Sequence, residues 1–572
     1  MKFLGLRIGE VKEEYEDVLV SLENTRRYPI TSQEHGRQRE DRPKSSETDG
    51  SLPSSGVSNQ ESTESLTSTI PWTMESLKDE VEAMGSESAS DSESGSEFEI
   101  EKKFRLLELA ISDIGVGRYQ LLLFILCGTG WAADNLWLQG VALILPSLAV
   151  NFGVSEQFVR YATLSLNVGL SIGAAGWGVG SDIKGRRLGF NCTLIITGIF
   201  ALGLASAPNF AAACAFLGAL GVGVGGSLPV DGTLFLEFLP HNNRSYLTLL
   251  SVWWPIGQVV ASLLAWLFIG TNLGTHGGWR SFIYTLGSLT LAKALARLLF
   301  HSIESPKYLL GINEQAEAVR SVRALAHRNR TQTWLTEEIL NNIGGTRERA
   351  ERVTYNTTAR VRQAIASLGP EAKRKVLPLF GNRQLGINTA LLWFIWAAIG
   401  MGYPLFNAFL PQYLSSGHEA GDASTTYRDY SIISAVAVPG SFLACYLVSR
   451  AGRRIPMAVA TMITGVFFFL FTIRDENTFQ LIFGCVASFF QNIMFGILYA
   501  YSPETFPGPS RGTGCGIAHS LSRLGGICAP LIAANVGASN PSLPIYVSGG
   551  LILAAFLAMC FLRIETQNRQ SL

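Results

Sequence analysis

From residue 120 onward the chain is a succession of apolar blocks separated by short polar turns. Each block runs to roughly 18–29 residues, enough at about 1.5 Å per residue to cross a hydrocarbon core of about 30 Å. The blocks fall at 121–148, 158–180, 188–207, 210–238, 246–269 and 281–302, then at 386–414, 430–448, 456–473, 479–501, 513–535 and 543–563. Runs such as "GALGVGVGGSLP" would weaken helices in water, but small residues let helices approach closely in lipid. The pattern predicts an all-α membrane protein of twelve spans, six on each side of a polar interval at 303–385. The chain is 47% hydrophobic and only 16% charged, below the quarter or so that soluble domains carry.

Orientation follows from basic residues in short connections. Lys184, Arg186, Arg187, Arg244, Arg450, Arg453, Arg454 and Arg511 fall in the loops on one side, against Arg280, Arg428 and Arg474 on the other. Both termini and the central interval are therefore expected in the cytoplasm, with the plasma membrane as the expected location.

Two corners share one skeleton: Glu237–Pro240–Arg244 in "LEFLPHNNR" and Glu504–Pro507–Arg511 in "PETFPGPSR". They are 267 residues apart, as are Gly185 of "GSDIKGRR" and Gly452 of "VSRAGRR". One offset in two loops marks two six-helix halves in parallel repeat. In each half an acid at a helix end faces guanidiniums from a neighbouring glycine turn, a charge-assisted latch at the membrane surface. Its members are Asp182, Gly185, Arg186, Arg187, Glu237 and Arg244, then Gly452, Arg453, Arg454, Glu504 and Arg511. The plainer reading is a set of positive-inside anchors.

"GWGVGSDIKGRR" resembles the loop 2–3 signature of the major facilitator superfamily, and "IESPKYLL" resembles the motif after the sixth span of its sugar porters. "GVGRYQLLLFILCGTGWAADNLWLQ", "GVGVGGSLPVDGTLFLEFLP", "WWPIGQVVASLLAW" and "YSPETFPGPSRGTG" look like the branch of synaptic-vesicle two-related and organic-ion transporters and their fungal relatives. The resemblance covers about residues 115–563. It implies a secondary transporter that moves a small polar organic solute by alternating access, with a proton as coupling ion and no other cofactor. A non-transporting receptor or scaffold, and a uniporter without proton coupling, are the rival readings.

Ionisable residues inside spans are costly and point to function. Asp134 lies midway along the first span, with Trp131 one turn before it and Asn135 and Gln139 as an adjacent polar stripe. The resemblance implies proton exchange at Asp134; a fixed counter-charge for a cationic substrate is the alternative. Asp231 lies in the fourth span as a second cavity carboxylate or a partner for an arginine. Where sugar porters place an arginine in that span, this chain has Leu217. Arg523, about 18 Å into the eleventh span from Arg511, must face a cavity or a carboxylate such as Asp134 or Asp231. His519 sits one turn earlier. Gln258, Asn388, Trp396, Asn407, Gln491 and Asn492 complete the candidate cavity. The seventh span lacks the Gln-Gln pair of sugar porters, which weakens the case for a hexose.

Residues 1–119 read as a mostly disordered, acidic, Ser-rich tail. From Glu75 to Glu101 carboxylates dominate and Lys78 is the single base, too polar a composition to bury a core. Its serines are candidate targets for kinases, and "VKEEYEDVLVSLE" a candidate amphipathic helix. The remaining divisions are 120–302, the first half; 303–385, a cytoplasmic loop with short helices; 386–563, the second half; and 564–572, a short tail. The eight cysteines (127, 192, 214, 445, 485, 515, 528 and 560) lie in apolar runs without metal-ligand spacing. No phosphate loop, catalytic triad or metal cluster supports an enzyme, and no basic face suggests nucleic acid. A monomer whose partners are the lipid bilayer and its solute is expected.

Overall fold

A computed structural model describes residues 15–22, 73–83, 95–240, 243, 245–271, 278–345, 376–410, 423–472, 477–506, 511–536 and 542–566. Eleven of the described helices are long and apolar enough to cross a membrane. They are Arg118–Phe152, Arg186–Ala205, Phe210–Glu237, Trp253–Gly270, Trp279–Phe300, Arg383–Asn407, Ser424–Val448, Arg454–Phe471, Thr478–Thr505, Thr513–Asn535 and Leu543–Cys560. The twelfth is Tyr161–Lys184, the second span, whose Ser, Asn and Gly residues lower its hydropathy. These twelve helices, numbered below as spans 1 to 12 in chain order, match the twelve apolar blocks.

The small residues of span 2 serve close packing. A methyl group on Gly221 of span 4 would lie 2.5 Å from the Leu166 carbonyl of span 2, and Gly169 and Gly173 meet the Gly218 and Val222 carbonyls in the same way. Backbones this close leave no room for a Cβ. Spans 8 and 10 repeat the device in the second half, where Gly440 faces the Phe489 carbonyl at 2.5 Å.

Spans 2 and 3 meet at Gly185 (φ 102°), and spans 8 and 9 at Gly452 (φ 82°). Both turns need the left-handed region that glycine enters freely. The repeat therefore extends from sequence spacing to backbone geometry.

The expectation of a mostly disordered tail needs correction over its described parts. Gly95–Ile114 is a 20-residue helix running up to span 1, and Met74–Ala83 is a helix of 10 residues. Leu77, Val81, Leu106, Leu107, Ala110 and Ile111 are fully or almost fully buried. They share one core with Leu309, Val322, Leu325 and Trp334 of the central interval and with Leu123 and Phe235 of spans 1 and 4. Arg105 donates to the Val81 carbonyl (3.0 Å), and the Trp334 indole to Asp113 (2.7 Å). The acidic, Ser-rich average conceals an amphipathic helix whose apolar face has a partner far along the chain. Residues 16–18, from the candidate helix "VKEEYEDVLVSLE", form a single 3-10 turn, and Leu19 pairs with Thr333 in a parallel bridge. Among its described residues the central interval holds three α-helices, Pro306–Gly311, Gln315–Asn329 and Glu337–Gly344, and a 3-10 turn at Leu377–Phe380.

Candidate functional site

At mid-height the two halves meet through an ion pair. Arg523 of span 11 lies 3.5 Å from Asp134 of span 1, which is wholly buried. The second oxygen of Asp134 accepts the Trp254 indole N–H of span 5 at 3.0 Å. Asn135 donates to the Trp254 carbonyl (3.0 Å), and Gln139 donates to the Tyr403 hydroxyl of span 7 (3.0 Å) while accepting the Tyr430 hydroxyl of span 8. Gln258 lies against that same Tyr430 hydroxyl. The polar stripe of span 1 thus crosses from one half to the other.

Aromatic rings wall this ionic centre. Trp254 stacks near-parallel to Tyr403 (6.2 Å, 13°) and meets Phe495 and Tyr499 edge-on at 5.3 and 5.9 Å. Trp131 lies 5.7 Å from Tyr499, and Trp396 5.0 Å from it on another side. The His519 ring packs on Trp396 at 4.7 Å. His519 is nevertheless exposed and Arg523 keeps 21% of its side chain open, although both lie well inside the span. Of the two exposed groups, His519 lies one turn nearer than Arg523 to the side of the Gly185 and Gly452 turns. Towards the opposite ends the halves are clasped: Tyr427 donates to the Leu143 carbonyl (2.9 Å), Trp266 to Ser424 (3.1 Å), and Arg160 to the Ala533 carbonyl.

Asp231 takes a different partner. It pairs with Arg297 of span 6 at 2.5 Å, both side chains fully buried within the first half. Arg297 also donates to the carbonyls of Phe190 (2.7 Å) and Leu126 (3.0 Å) and lies 4.1 Å over the Phe190 ring. So dense a set of acceptors is what a desolvated guanidinium requires. A methyl group on Gly130 would collide with both members of the pair. Gly130 is one turn from Asp134, so this buried ion pair braces span 1 beside the central site.

Each latch closes inside its own half. Arg186 lies 3.5 Å from Glu237, whereas Arg453 grips Glu504 through two bonds of 3.0 and 3.1 Å. A further carboxylate completes each one. Glu304 accepts the backbone N–H groups of Arg186 (2.9 Å) and Arg187 (3.3 Å) at the start of span 3. Glu565 accepts those of Arg453 (3.0 Å) and Arg454 (3.2 Å) at the start of span 9. Helix N-termini leave such donors unmet and carry positive potential, so a carboxylate there is stabilising. Burial pushes the Glu304 carboxyl up from its ordinary range, against the pull of the N–H groups it accepts, and the Glu237 charge adds to the rise. The side chains of Asp182 and Arg511, and Arg244 altogether, lie outside the described residues.

The family model for the Major Facilitator Superfamily matches residues 121–473 and 416–571. The chain belongs to the major facilitator superfamily. An uncharacterized MFS-type transporter of Schizosaccharomyces pombe is 38% identical to it, across 82% of this chain and 89% of the relative. MFS siderochrome iron transporter 1 of Ceriporiopsis subvermispora is also 38% identical, across 82% and 92%. Synaptic vesicle 2-related proteins, including that of Xenopus laevis, are among the relatives, in keeping with the branch its motifs resemble. Among solved structures, the proton:xylose symporter XylE bound to 6-bromo-6-deoxy-D-glucose superposes with a TM-score of 0.58 at 18% identity, over 79% of this chain and 98% of that one. That likeness establishes the fold. Its relatives and fold neighbours are transporters, and the protein is a multi-pass membrane transporter, not an enzyme.

Within the superfamily fold, the other candidate residues divide into two groups. Trp396, Asn407 and Gln491 stay near the centre: Trp396 donates to Ser502 (2.9 Å), and Asn407 to Gln491 (3.2 Å). Asn388 is held elsewhere, donating to the Tyr501 hydroxyl (3.1 Å) and accepting the N–H of Arg563 (3.0 Å) just past span 12, so it fixes the end of the bundle near the second latch. Asn492 bonds back to the Ser488 carbonyl of its own helix (3.0 Å). Leu217 is a fully buried apolar residue. The residues that sequence reasoning missed are Trp254, Tyr403, Tyr430 and Tyr499 at the centre, Arg297 beside it, and Glu304 and Glu565 at the latches.

Proposed function

We propose that this transporter moves a small polar organic solute together with a proton, carried on Asp134, by rocking its two halves about the central site. The observation that carries this reading is the Asp134–Arg523 contact. It is a long ion-pair contact between the two halves, with the guanidinium partly open and the carboxylate sealed. A proton on Asp134 removes the attraction between the halves at that point and changes which way the cavity opens. The latches at Glu237 and Glu504 hold each half rigid during this exchange. A bias of about 1–3 kcal/mol is enough to move such a two-state balance. We place the protein in the plasma membrane as a monomer, both termini in the cytoplasm, with the Ser-rich tail open to kinases.

Spin labels at Lys184 and Arg450, exposed on the latch side of opposite halves, provide a test that needs no substrate. In lipid nanodiscs the inter-label distances are expected to form two populations whose ratio follows pH. In Asp134→Asn the ratio should stop responding. A single population indifferent to pH would overturn alternating access linked to a proton, and an unchanged response in Asp134→Asn would move the proton to another residue.

A further inference from the structure

The charged group that the central site offers to a solute is a guanidinium. Asp134 is fully buried, with one oxygen on the Trp254 indole and the other facing Arg523. Arg523 is a fifth exposed and is tied to Asp134 through one nitrogen at 3.5 Å. The neutral groups around it favour an acceptor-rich ligand as well. The Trp131 indole N–H and the Gln491 amide nitrogen are both buried and have no acceptor among the described residues. Trp131 lies against Tyr499 and Gln491 beside Asn407. The remaining wall is made of Trp254, Trp396, Tyr403, Phe495 and Tyr499, which meet face-on or edge-on. Flat rings pack well against such edges and faces, and a guanidinium binds a carboxylate through two parallel bonds.

From this arrangement we infer that the substrate class is a small aromatic or heteroaromatic monocarboxylate, taken up with one proton in an electroneutral step. The inference rests on the transport reading above and names its substrate. Its charge arithmetic is local. Asp134 and Arg523 together are neutral, and the nearby Asp231–Arg297 pair is neutral on its own account. The other titratable groups facing Asp134 are the Tyr403 and Tyr499 hydroxyls, with His519 beyond Arg523. A carboxylate entering this desolvated centre adds one negative charge that nothing fixed there balances. A proton on Asp134 restores neutrality, and it frees the Arg523 donors to turn to the ligand. The proton and the anion each favour the other's binding, which is the linkage a symporter needs. In the reverse case, a cationic solute would have to displace Arg523 from a carboxylate that is wholly buried.

Benzoate, neutral benzamide and cationic benzylamine separate these cases. Binding to the purified full-length protein in nanodiscs is read from indole fluorescence and thermal shift at pH 5.5 and 7.5, and uptake from proteoliposomes. Benzoate is expected to bind at least about tenfold more tightly than benzamide, because a site of donors around a guanidinium rejects the analogue that lacks the charge. It should bind more tightly at pH 5.5, and Asp134→Asn should hold the acid-pH affinity at both values. Arg523→Gln should lose the preference for benzoate. Uptake should follow an imposed pH gradient and ignore a valinomycin-clamped potential. Equal or tighter binding of benzamide or benzylamine to the unmodified protein would overturn the substrate class, and so would no binding of benzoate. Uptake driven by the potential alone would overturn electroneutrality. Benzoate binding without uptake would leave the site chemistry standing and overturn the transport reading, while pH-dependent spin-label distances without benzoate binding would do the reverse.

Discussion

Glu565 stands to span 9 as Glu304 stands to span 3. Each carboxylate follows the last span of its half and accepts two consecutive backbone N–H groups at the start of a helix: Arg186 and Arg187 for Glu304, Arg453 and Arg454 for Glu565. The next residue takes part on both sides. Ser305 and Thr566 each donate a backbone N–H to the preceding glutamate, and Thr566 also bonds Glu504 at 2.6 Å. The chain thus ties the end of each half back to the turn between its second and third helices.

Removing either carboxylate should leave two helix-terminal donors unmet. Glu304→Ala and Glu565→Ala are each expected to cost about 1–3 kcal/mol, the range for charge-assisted bonds and partly buried orphan donors. Glu565→Gln, which keeps an acceptor, should cost less. Thermal unfolding of the purified protein checks this order, and equal melting temperatures for all the variants would show that the caps are decorative.

Glu304 should also leave a mark on the pH dependence of stability. Its carboxyl is pushed up by burial, so the folded state holds its proton more tightly than the unfolded chain does. The part of its contribution that comes from this shift is then fully present below the unfolded value of about 4.3 and is lost as pH rises through the raised folded value, while the backbone bonds it accepts persist. The difference in melting temperature between the wild type and Glu304→Gln should therefore change across that acidic window and stay flat above it. A difference that is constant from pH 4 to 8 would contradict the assignment.

Gly130 should tolerate no side chain. A Cβ there meets Asp231 and Arg297 directly, and disrupting a buried pair strands charge at a cost of about 3–5 kcal/mol. Gly130→Ala and Asp231→Asn are both expected to reduce the yield of folded protein. The double replacement Asp231→Leu with Arg297→Met, which removes both charges, should recover much of it. Equal loss in the double variant would mean that the pair specifies the structure rather than satisfying its own charges.

Much of this architecture can be read from sequence because lipid imposes length. An apolar block that must span the bilayer announces itself, and the 267-residue spacing of Glu237 and Glu504 exposes the repeat without a structure. Asp134 and Arg523 stand out for the same reason, as charges where charge is expensive. Arg297 does not, because it lies in the last turn of span 6, where a long basic side chain usually reaches back to water. Only the packed bundle reveals that it turns inward. Trp254, Tyr403 and Tyr499 are hidden because an aromatic ring in an apolar block looks the same whether it faces lipid or solute. Glu304 and Glu565 are 261 residues apart, outside the common spacing, so the register that finds the latches passes over their caps. The helix Gly95–Ile114 disappears into the average of the acidic run before it, since composition over a long window erases a 3.6-residue period.

The two latches should not be equivalent. Arg453 holds Glu504 through two nitrogens at 3.0 and 3.1 Å, whereas the Arg186–Glu237 contact is longer, at 3.5 Å, and a hydroxyl from the following segment stands by each acid, Thr566 at Glu504 and Ser305 at Glu237. Two parallel bonds fix orientation as well as distance. Glu504 is about a third exposed, so solvent screening limits its energy to about 1 kcal/mol, a fivefold change in an equilibrium. Glu504→Gln should therefore loosen its half measurably, and Glu237→Gln less so. With spin labels at Lys184 and Arg450, both variants are expected to shift the balance towards the form open on the latch side, Glu504→Gln further. Each latch lies within one half, so the shift must come from a softened turn between helices rather than from a broken bridge between halves. Cross-linking within a half, between cysteines placed at Arg453 and Glu504, should then restore the distance distribution of the wild type. A cross-linked protein that keeps the shifted distribution would show that the charge, and not the turn it stiffens, sets the balance.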